Sequence, residues 1–213
     1  GFSIDSTEVT QAQYQQFILA KAGDPAGQPT PFCDFNVSYL PRNSDNPNLW
    51  DPVNHGDYPA TDIDWCDAYA YCAWAGKRLC GGLNGKIAPG ASSYNPAQSQ
   101  WYYACSKAGS QSYPYGTTPD TNACNVKKAF LDGGLIRNVG ADSKCVGGFA
   151  GISDMVGNAS EWIDACDGGV CAILGGSVTF PGPGDPNPVQ CGMYTEVGPV
   201  YSADDLGFRC CKD

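Results

Sequence analysis

Apolar residues recur at helical spacing in three places. Tyr14, Phe17 and Ile18 follow Thr10 at intervals that put them on one face, predicting a helix that starts at Gln11 with Thr10 as N-cap. Trp65, Tyr69, Cys72 and Trp74 predict a second helix from about Ile63 to Ala75. Asp62 or Asp64 caps it, Gly76 stops it, and Lys77 and Arg78 suit the C-terminal end of its dipole. A third begins at Pro96 behind the cap Asn95 and carries Trp101, Ala104 and Cys105. Between the first two, Pro25, Pro29, Pro31, Pro41, Pro47, Pro52 and Pro59 exclude any long regular element. Residues 23–59 are therefore expected to form a long packed surface loop pinned by Cys33, Phe35, Tyr39 and Trp50. The connection from Gly81 to Ser93 is rich in glycine but lacks the spacing of a phosphate-binding loop.

Composition narrows the class. With 27 Gly and 16 Pro in 213 residues, turns should outnumber regular elements. A chain of this length that is 42% hydrophobic and 16% charged fits one domain over 1–213. Twelve cysteines accompany a single histidine and no zinc-like ligand spacing, which points to an exported, disulfide-rich chain. No run approaches the roughly 18 apolar residues of a spanning helix, so the mature chain is expected to lie outside the membrane, its leader removed. The formal net charge of −10 argues against nucleic acid and anionic lipid as partners. It suits an extracellular calcium binder, and plain solubility accounts for it equally well. The lone histidine, His55, sits in Asn54-His55-Gly56 without a nucleophile motif elsewhere and is taken as a turn residue.

The stretch Asp154-Met155-Val156-Gly157-Asn158-Ala159-Ser160-Glu161-Trp162 places two carboxylates around a tight turn. Ca²⁺ takes six to eight oxygens, main-chain carbonyls included, so Asp154 and Glu161 could supply charge while Gly157 and Ala159 supply C=O groups. An ordinary Gly-Asn turn with two solvated acids is the competing reading.

That stretch also carries a resemblance. Residues 151–162 are similar to the "GLYDMVGNVWEW" signature of the formylglycine-generating enzyme (sulfatase-modifying factor) family. Further pieces follow in the family's order: Ile4-Asp5, Thr7-Glu8-Val9-Thr10 and Tyr14 to Phe17 at the start; Trp65, Asp67-Ala68 and Tyr71 to Leu79 in a "W.DA..YC.WAGKRL" segment; then Tyr113-Pro114-Tyr115-Gly116, Gly175-Gly176-Ser177 and Gly207-Phe208-Arg209-Cys210. The chain departs from the pattern between Leu79 and Trp101, where an insertion opens at Cys80. The resemblance implies an α+β formylglycine-generating-enzyme-like variant of the C-type lectin fold, loop-rich and disulfide-stapled, with little regular secondary structure.

It also implies sites. One structural Ca²⁺ is expected at Asp154, Gly157, Ala159 and Glu161, and a second at Asn125, Val126, Asp132 and Gly134, where a turn at Asp132-Gly133-Gly134 is the alternative. By position in the family's motifs, Cys72 pairs with Cys210 and Cys105 with Cys191. Cys124 with Cys145 and Cys166 with Cys171 are also expected, leaving Cys33, Cys66, Cys80 and Cys211 without assigned partners. The family's oxidase branch carries a copper-holding cysteine pair just after Gly-Gly-Ser, whereas here Ser177 is followed by no cysteine before Cys191. One histidine cannot build the iron site of the ergothioneine-synthase branch either. A non-catalytic, calcium-stabilised extracellular or cell-surface module is therefore expected, binding a protein or glycan ligand. A self-assembling surface subunit that pairs with its own copies is the alternative, and an oxidase with its cysteines relocated to Cys166 and Cys171 a further one. The working surface is placed on the Ser177–Asp205 loop, with Phe180, Tyr194 and Tyr201 as contact aromatics and Cys191 fixing the loop to the third helix.

Overall fold

The computed structural model describes residues 1–126, 136–179 and 189–213. In chain order the elements are β1 (Ser3–Ile4), α1 (Gln11–Lys21), α2 (Trp65–Trp74), β2 (Arg78–Leu79), α3 (Gln100–Cys105), β3 (Ser160–Asp167), β4 (Val170–Leu174), β5 (Tyr194–Val197), β6 (Leu206–Phe208) and β7 (Cys210–Lys212). They build two sheets, one of three strands ordered β1-β7-β2 and one of four ordered β5-β4-β3-β6. β6 runs parallel to β3, with Ser160 opposite Leu206 and Trp162 opposite Phe208.

The four-stranded sheet lies between two apolar clusters. Alternate side chains of β3 and β4 go to opposite faces: Trp162, Cys171 and Ile173 join the cluster of α1 and α2, while Ile163, Ala165, Ala172 and Leu174 join that of α3. Two tryptophans lock the first face, the Trp65 indole donating to the Ile163 carbonyl and the Trp162 indole to the Ile63 carbonyl, each at 2.9 Å. On α1, Tyr14 and Phe17 are fully buried, and Tyr14 stacks on Tyr71 with centroids 5.5 Å apart.

The sheets meet at one residue. Arg209 alone separates β6 from β7, so the chain crosses from one sheet to the other there. Continued alternation sends Phe208 and Cys210 to the α1/α2 cluster and Cys211 to the α3 cluster. Adjacent cysteines on one strand thus bond in opposite directions, Cys210 to Cys72 on α2 and Cys211 to Cys80 behind β2. The remaining bonds are Cys33–Cys66, Cys105–Cys191, Cys124–Cys145 and Cys166–Cys171, and no cysteine is free.

Several sequence expectations need adjusting. Thr10 caps α1 in a full capping box with Gln13, and Asp64 rather than Asp62 caps α2. The third helix starts at Gln100 with Ser99 as cap, four residues later than Pro96 suggested. Asn95 instead closes a turn, its side chain accepting from Ala97 N and its carbonyl from Gln98 N and Ser99 N. Phe35 is 41% exposed and does not pin the 23–59 loop, whereas Tyr39 is 4% exposed. The Ser177–Asp205 segment contains β5, which pairs with β4 from Cys171↔Val197 to Leu174↔Tyr194.

The N-terminus of α2 has a measurable consequence. Asp64 Oδ1 accepts from Asp67 N, and Asp67 Oδ1 accepts from Asn36 Nδ2 at 2.6 Å, leaving two carboxyls close together out of water. Burial pushes Asp64 up to about 6; burial and then the Asp64 charge push Asp67 well above the usual carboxylate range. Folded-state values above the unfolded ones mean that the native state holds more protons in this window, so stability present below about pH 4 is lost as pH rises through about 6. The wild type is expected to be more stable at pH 5 than at pH 8, and Asp67→Asn should remove on the order of 1–3 kcal/mol of that difference. Melting curves of both proteins across this range check it; a pH dependence identical in the two would show that the pair does not titrate.

Candidate functional site

The signature loop 154–161 forms the floor of the site. Asp154 and Asn158 adopt left-handed backbone, φ 57° and 58°, and Gly157 adopts φ 74°. A Cβ on Gly157 would lie 2.5 Å from Val126 Cγ1 and 2.7 Å from the Asn125 carbonyl, so only glycine lets the loop seat against residues 125–126. Asp154, Gly157, Ala159 and Glu161 are all buried in this one loop, and Asn125 and Val126 are buried against it. Asp132, Gly134 and Phe180 fall outside the described residues.

Two side chains that the sequence reading did not assign organise this floor. Asn158 Oδ1 accepts from Asn125 Nδ2 and Arg137 N, both at 3.0 Å, and its Nδ2 donates to Glu8 Oε1 at 3.0 Å. Arg209, fully buried, donates through Nε to both oxygens of Glu161 and through Nη2 to Oε1 at 2.7 Å. Its nitrogens also reach the carbonyls of Asp5, Ser153 and Asp154. Trp101 Nε1 donates to Glu161 Oε2 at 2.7 Å, bringing α3 into the same cluster. The available signal was composition: Arg209 is the only arginine after Arg137, and Glu8 sits in the Thr7-Glu8-Val9-Thr10 motif.

The charges do not balance. Among the described residues, Glu8, Asp154 and Glu161 face one guanidinium, and Glu8 Oε2 is buried without a hydrogen-bond partner, 4.0 Å from Arg209 Nη2. Burial, reinforced by Asp154, pushes Glu8 well above the usual carboxylate range; burial raises Asp154 to about 6 against the pull of the Gly140 N–H and Arg209. Burial works against the charge of Arg209, and Glu161 beside it more than offsets that. A cation would offset the surplus of negative charge, yet among the described residues no group of three or more His, Cys, Asp or Glu is placed to hold a metal ion. A carboxylate has about four lone-pair sites, and Arg209 Nε, Arg209 Nη2 and Trp101 Nε1 are the donors that use those of Glu161.

This floor carries the surface above it. Gly157 N donates to the Gly175 carbonyl and Val178 N to the Asn158 carbonyl, so the loop templates the Gly175-Gly176-Ser177 stretch. Gly175 packs on Trp101 closely enough that a Cβ would meet its ring at 3.0 Å. Ser177 Oγ then donates to Asp205 Oδ2 at 2.5 Å, and Thr179 Oγ1 donates to the same oxygen. Two depressions flank this hydroxyl–carboxylate cluster and share Thr179 and Asp205. One, of about 280 Å³, is walled by Ile173, Met193, Tyr194 and Tyr201; the other, of about 470 Å³, by Tyr58, His55, Leu49 and Ile136.

Tyr194 and Tyr201 thus line one cleft, with different freedom. Tyr201 is 45% exposed. Tyr194 is half-buried, its ring edge-on to Tyr94 at 5.5 Å and its hydroxyl held by Gly90 N and Glu196. His55 stacks on Tyr58, centroids 4.7 Å apart, as part of the neighbouring wall. Cys166 and Cys171, opposite each other across the β3–β4 hairpin, are bonded to one another.

Comparison with known proteins agrees with this architecture. A family model described as "Sulfatase-modifying factor enzyme 1-like domain" matches residues 1–213. Inactive C-alpha-formylglycine-generating enzyme 2 of Bos taurus is 28% identical over 176 residues, 72% of this chain and 50% of that protein. Formylglycine-generating enzyme of Bos taurus is 25% identical over 187 residues, 76% of this chain and 46% of that protein. The chain therefore spans about half the length of these two relatives. Among solved structures, PvdO from Pseudomonas aeruginosa superimposes with TM-score 0.62 at 18% identity, covering 100% of this chain and 80% of that one. CarF superimposes with TM-score 0.56 at 22% identity, covering 99% and 85%. These two likenesses show the fold alone.

Proposed function

Because the chain belongs to the sulfatase-modifying factor enzyme 1-like family, we propose that it uses that family's fold as a non-catalytic, calcium-stabilised binding module of the cell exterior. The cleft around Ser177, Thr179 and Asp205 would hold a protein or glycan ligand. The observation that carries this reading is the cysteine pattern. All twelve cysteines are in six disulfides, and the sequence after Gly-Gly-Ser supplies no thiol to the cleft that the resemblance makes the oxidase centre. A relative that bears the name "inactive" agrees with it. Six disulfides fit a chain made in an oxidising compartment, and among the described residues no helix is long and apolar enough to cross a membrane.

Ligand binding would rest on aromatic contact at Tyr201 and hydrogen bonding at Asp205. Tyr201→Ala should leave the melting temperature nearly unchanged, because the ring is 45% exposed, while weakening ligand capture on a glycan and peptide array about tenfold or more. Tyr194→Ala should cost more stability, since its ring and hydroxyl are engaged. Undiminished capture by Tyr201→Ala would remove the cleft from consideration.

Calcium is the stabilising part of the proposal. Asp154 and Glu161 with the carbonyls of Gly157 and Ala159 would hold one ion, which would have to take Glu161 lone pairs that Arg209 and Trp101 use in this structure, and Asn125, Val126, Asp132 and Gly134 would hold the second. Binding to the folded state alone contributes on the order of 2.7 kcal/mol at a hundredfold excess over Kd. For a chain of this length a chelator should then lower the melting temperature by about 5–10 °C, and Asp154→Asn should blunt that response. An unchanged melt in chelator would exclude calcium and leave protons on Glu8 and Asp154 to balance the buried charge.

Self-association is a second reading, favoured by β5. It ends the four-stranded sheet, so its outer edge has no strand partner among the described residues. The exposed Glu196 on that edge is the kind of charge that discourages strand pairing. Size-exclusion chromatography separates the two readings, a monomer supporting the binding module.

A further inference from the structure

We infer that a separate pocket, between the 29–32 turn, the start of α2 and strand β3, is a binding site for a small alkylammonium group. It encloses about 150 Å³ and is walled by Phe32, Trp65 and Ile87, with Asp164 and the Cys166 side of the hairpin disulfide behind them. Phe32 and Trp65 stand nearly perpendicular, at 82° with centroids 5.3 Å apart, and form an aromatic corner. Trp65, 2% exposed, backs the pocket, and it is the half-buried Phe32 ring that offers negative density to a cation. Trp65 cannot swing away, because its indole is bonded to the Ile163 carbonyl on the neighbouring strand.

The carboxylate is the second half of the site. Asp164 is fixed by its backbone in β3, its N–H donating to the Cys80 carbonyl at 2.7 Å. Among the described residues its side chain makes no hydrogen bond and no ion pair within 4.0 Å. Burial pushes its pKa up, opposed only by the more distant Lys86 and Arg78. A half-buried carboxylate left in this state gains from a cation and loses from a neutral or anionic occupant. Lys86 is exposed at the rim, where its ammonium competes with an incoming one. A lysine side chain of a partner and a choline-type head group present the same single positive charge on an alkyl group, only the former able to donate hydrogen bonds to Asp164, so both are candidates.

The test is a titration followed by NMR at the Trp65 indole and the Asp164 amide, at constant ionic strength. The probes are n-butylammonium for a lysine side chain, tetramethylammonium for a choline-type head, and tert-butanol as a neutral control. Saturable shifts with either cation and none with tert-butanol are expected. Affinity should be about tenfold weaker in Asp164→Asn and in Phe32→Ala, and tighter in Lys86→Ala. The better-bound cation identifies the source. Asp164→Asn removes a desolvated charge and should keep its melting temperature, so loss of binding there is not loss of fold. Linear shifts into hundreds of millimolar, equal binding of tert-butanol, or full affinity in Asp164→Asn would overturn the inference.

Discussion

Replacing Arg209 with methionine is expected to destabilise the protein by about 3–5 kcal/mol, the cost of breaking a buried ion pair by removing one partner. Glu161 would be left fully buried with only Trp101 as donor, and the carbonyls of Asp5, Ser153 and Asp154 would lose their shared partner. At this chain length the melting temperature should fall by roughly 10 °C or more. Arg209→Lys should recover little, since one ammonium cannot reproduce the fork that grips both Glu161 oxygens. Thermal melts of the two variants check this. If the lysine variant melts like the wild type, the geometry of the fork is unimportant.

The second large effect belongs to the disulfide between Cys80 and Cys211. Although its sequence separation is 131 residues, the Cys72–Cys210 bond already closes nearly the same loop, so it shuts only an effective loop of about ten residues, worth about 3 kcal/mol in the chain-entropy account. Replacing both cysteines with alanine should lower denaturant stability by that order while leaving the Cys72–Cys210 bond intact, because the two leave β7 on opposite faces. The loss should appear at the β2–β7 pairing, where Arg78 lies opposite Cys211, as faster amide exchange there than in β3. Equal exchange across both sheets would mean that the bond does not act locally.

What the sequence made legible follows from the range of each signal. Helices α1 and α2 announce themselves through local spacing and caps, Thr10 and Asp64, and the family motifs carry the fold over the whole chain. The strands did not appear in advance. β3 is buried on both faces, so Ser160–Asp167 lacks the alternation that marks a half-exposed strand, and β1 and β2 have two residues each. Asn95 and Ser99 both precede Trp101, and no local rule decides which begins the helix. The Glu161–Arg209 pair joins residues 48 apart, and Glu8 meets Asn158 across 150. Such contacts exist only once the sheets have assembled. Asp205 escaped for a related reason, since its partners Ser177 and Thr179 reach it from the far end of the segment.

A family fold that persists here without thiol chemistry leaves a direct signature in the thiol count. Thiols should be counted in the native, unreduced protein, and Cu(I) then titrated under mild reduction that spares buried disulfides. The expected result is no free thiol, no stoichiometric copper, and a peptide map containing all six bonds. A pair of thiols at Cys166 and Cys171 that binds one equivalent of copper would contradict it and restore an oxidase.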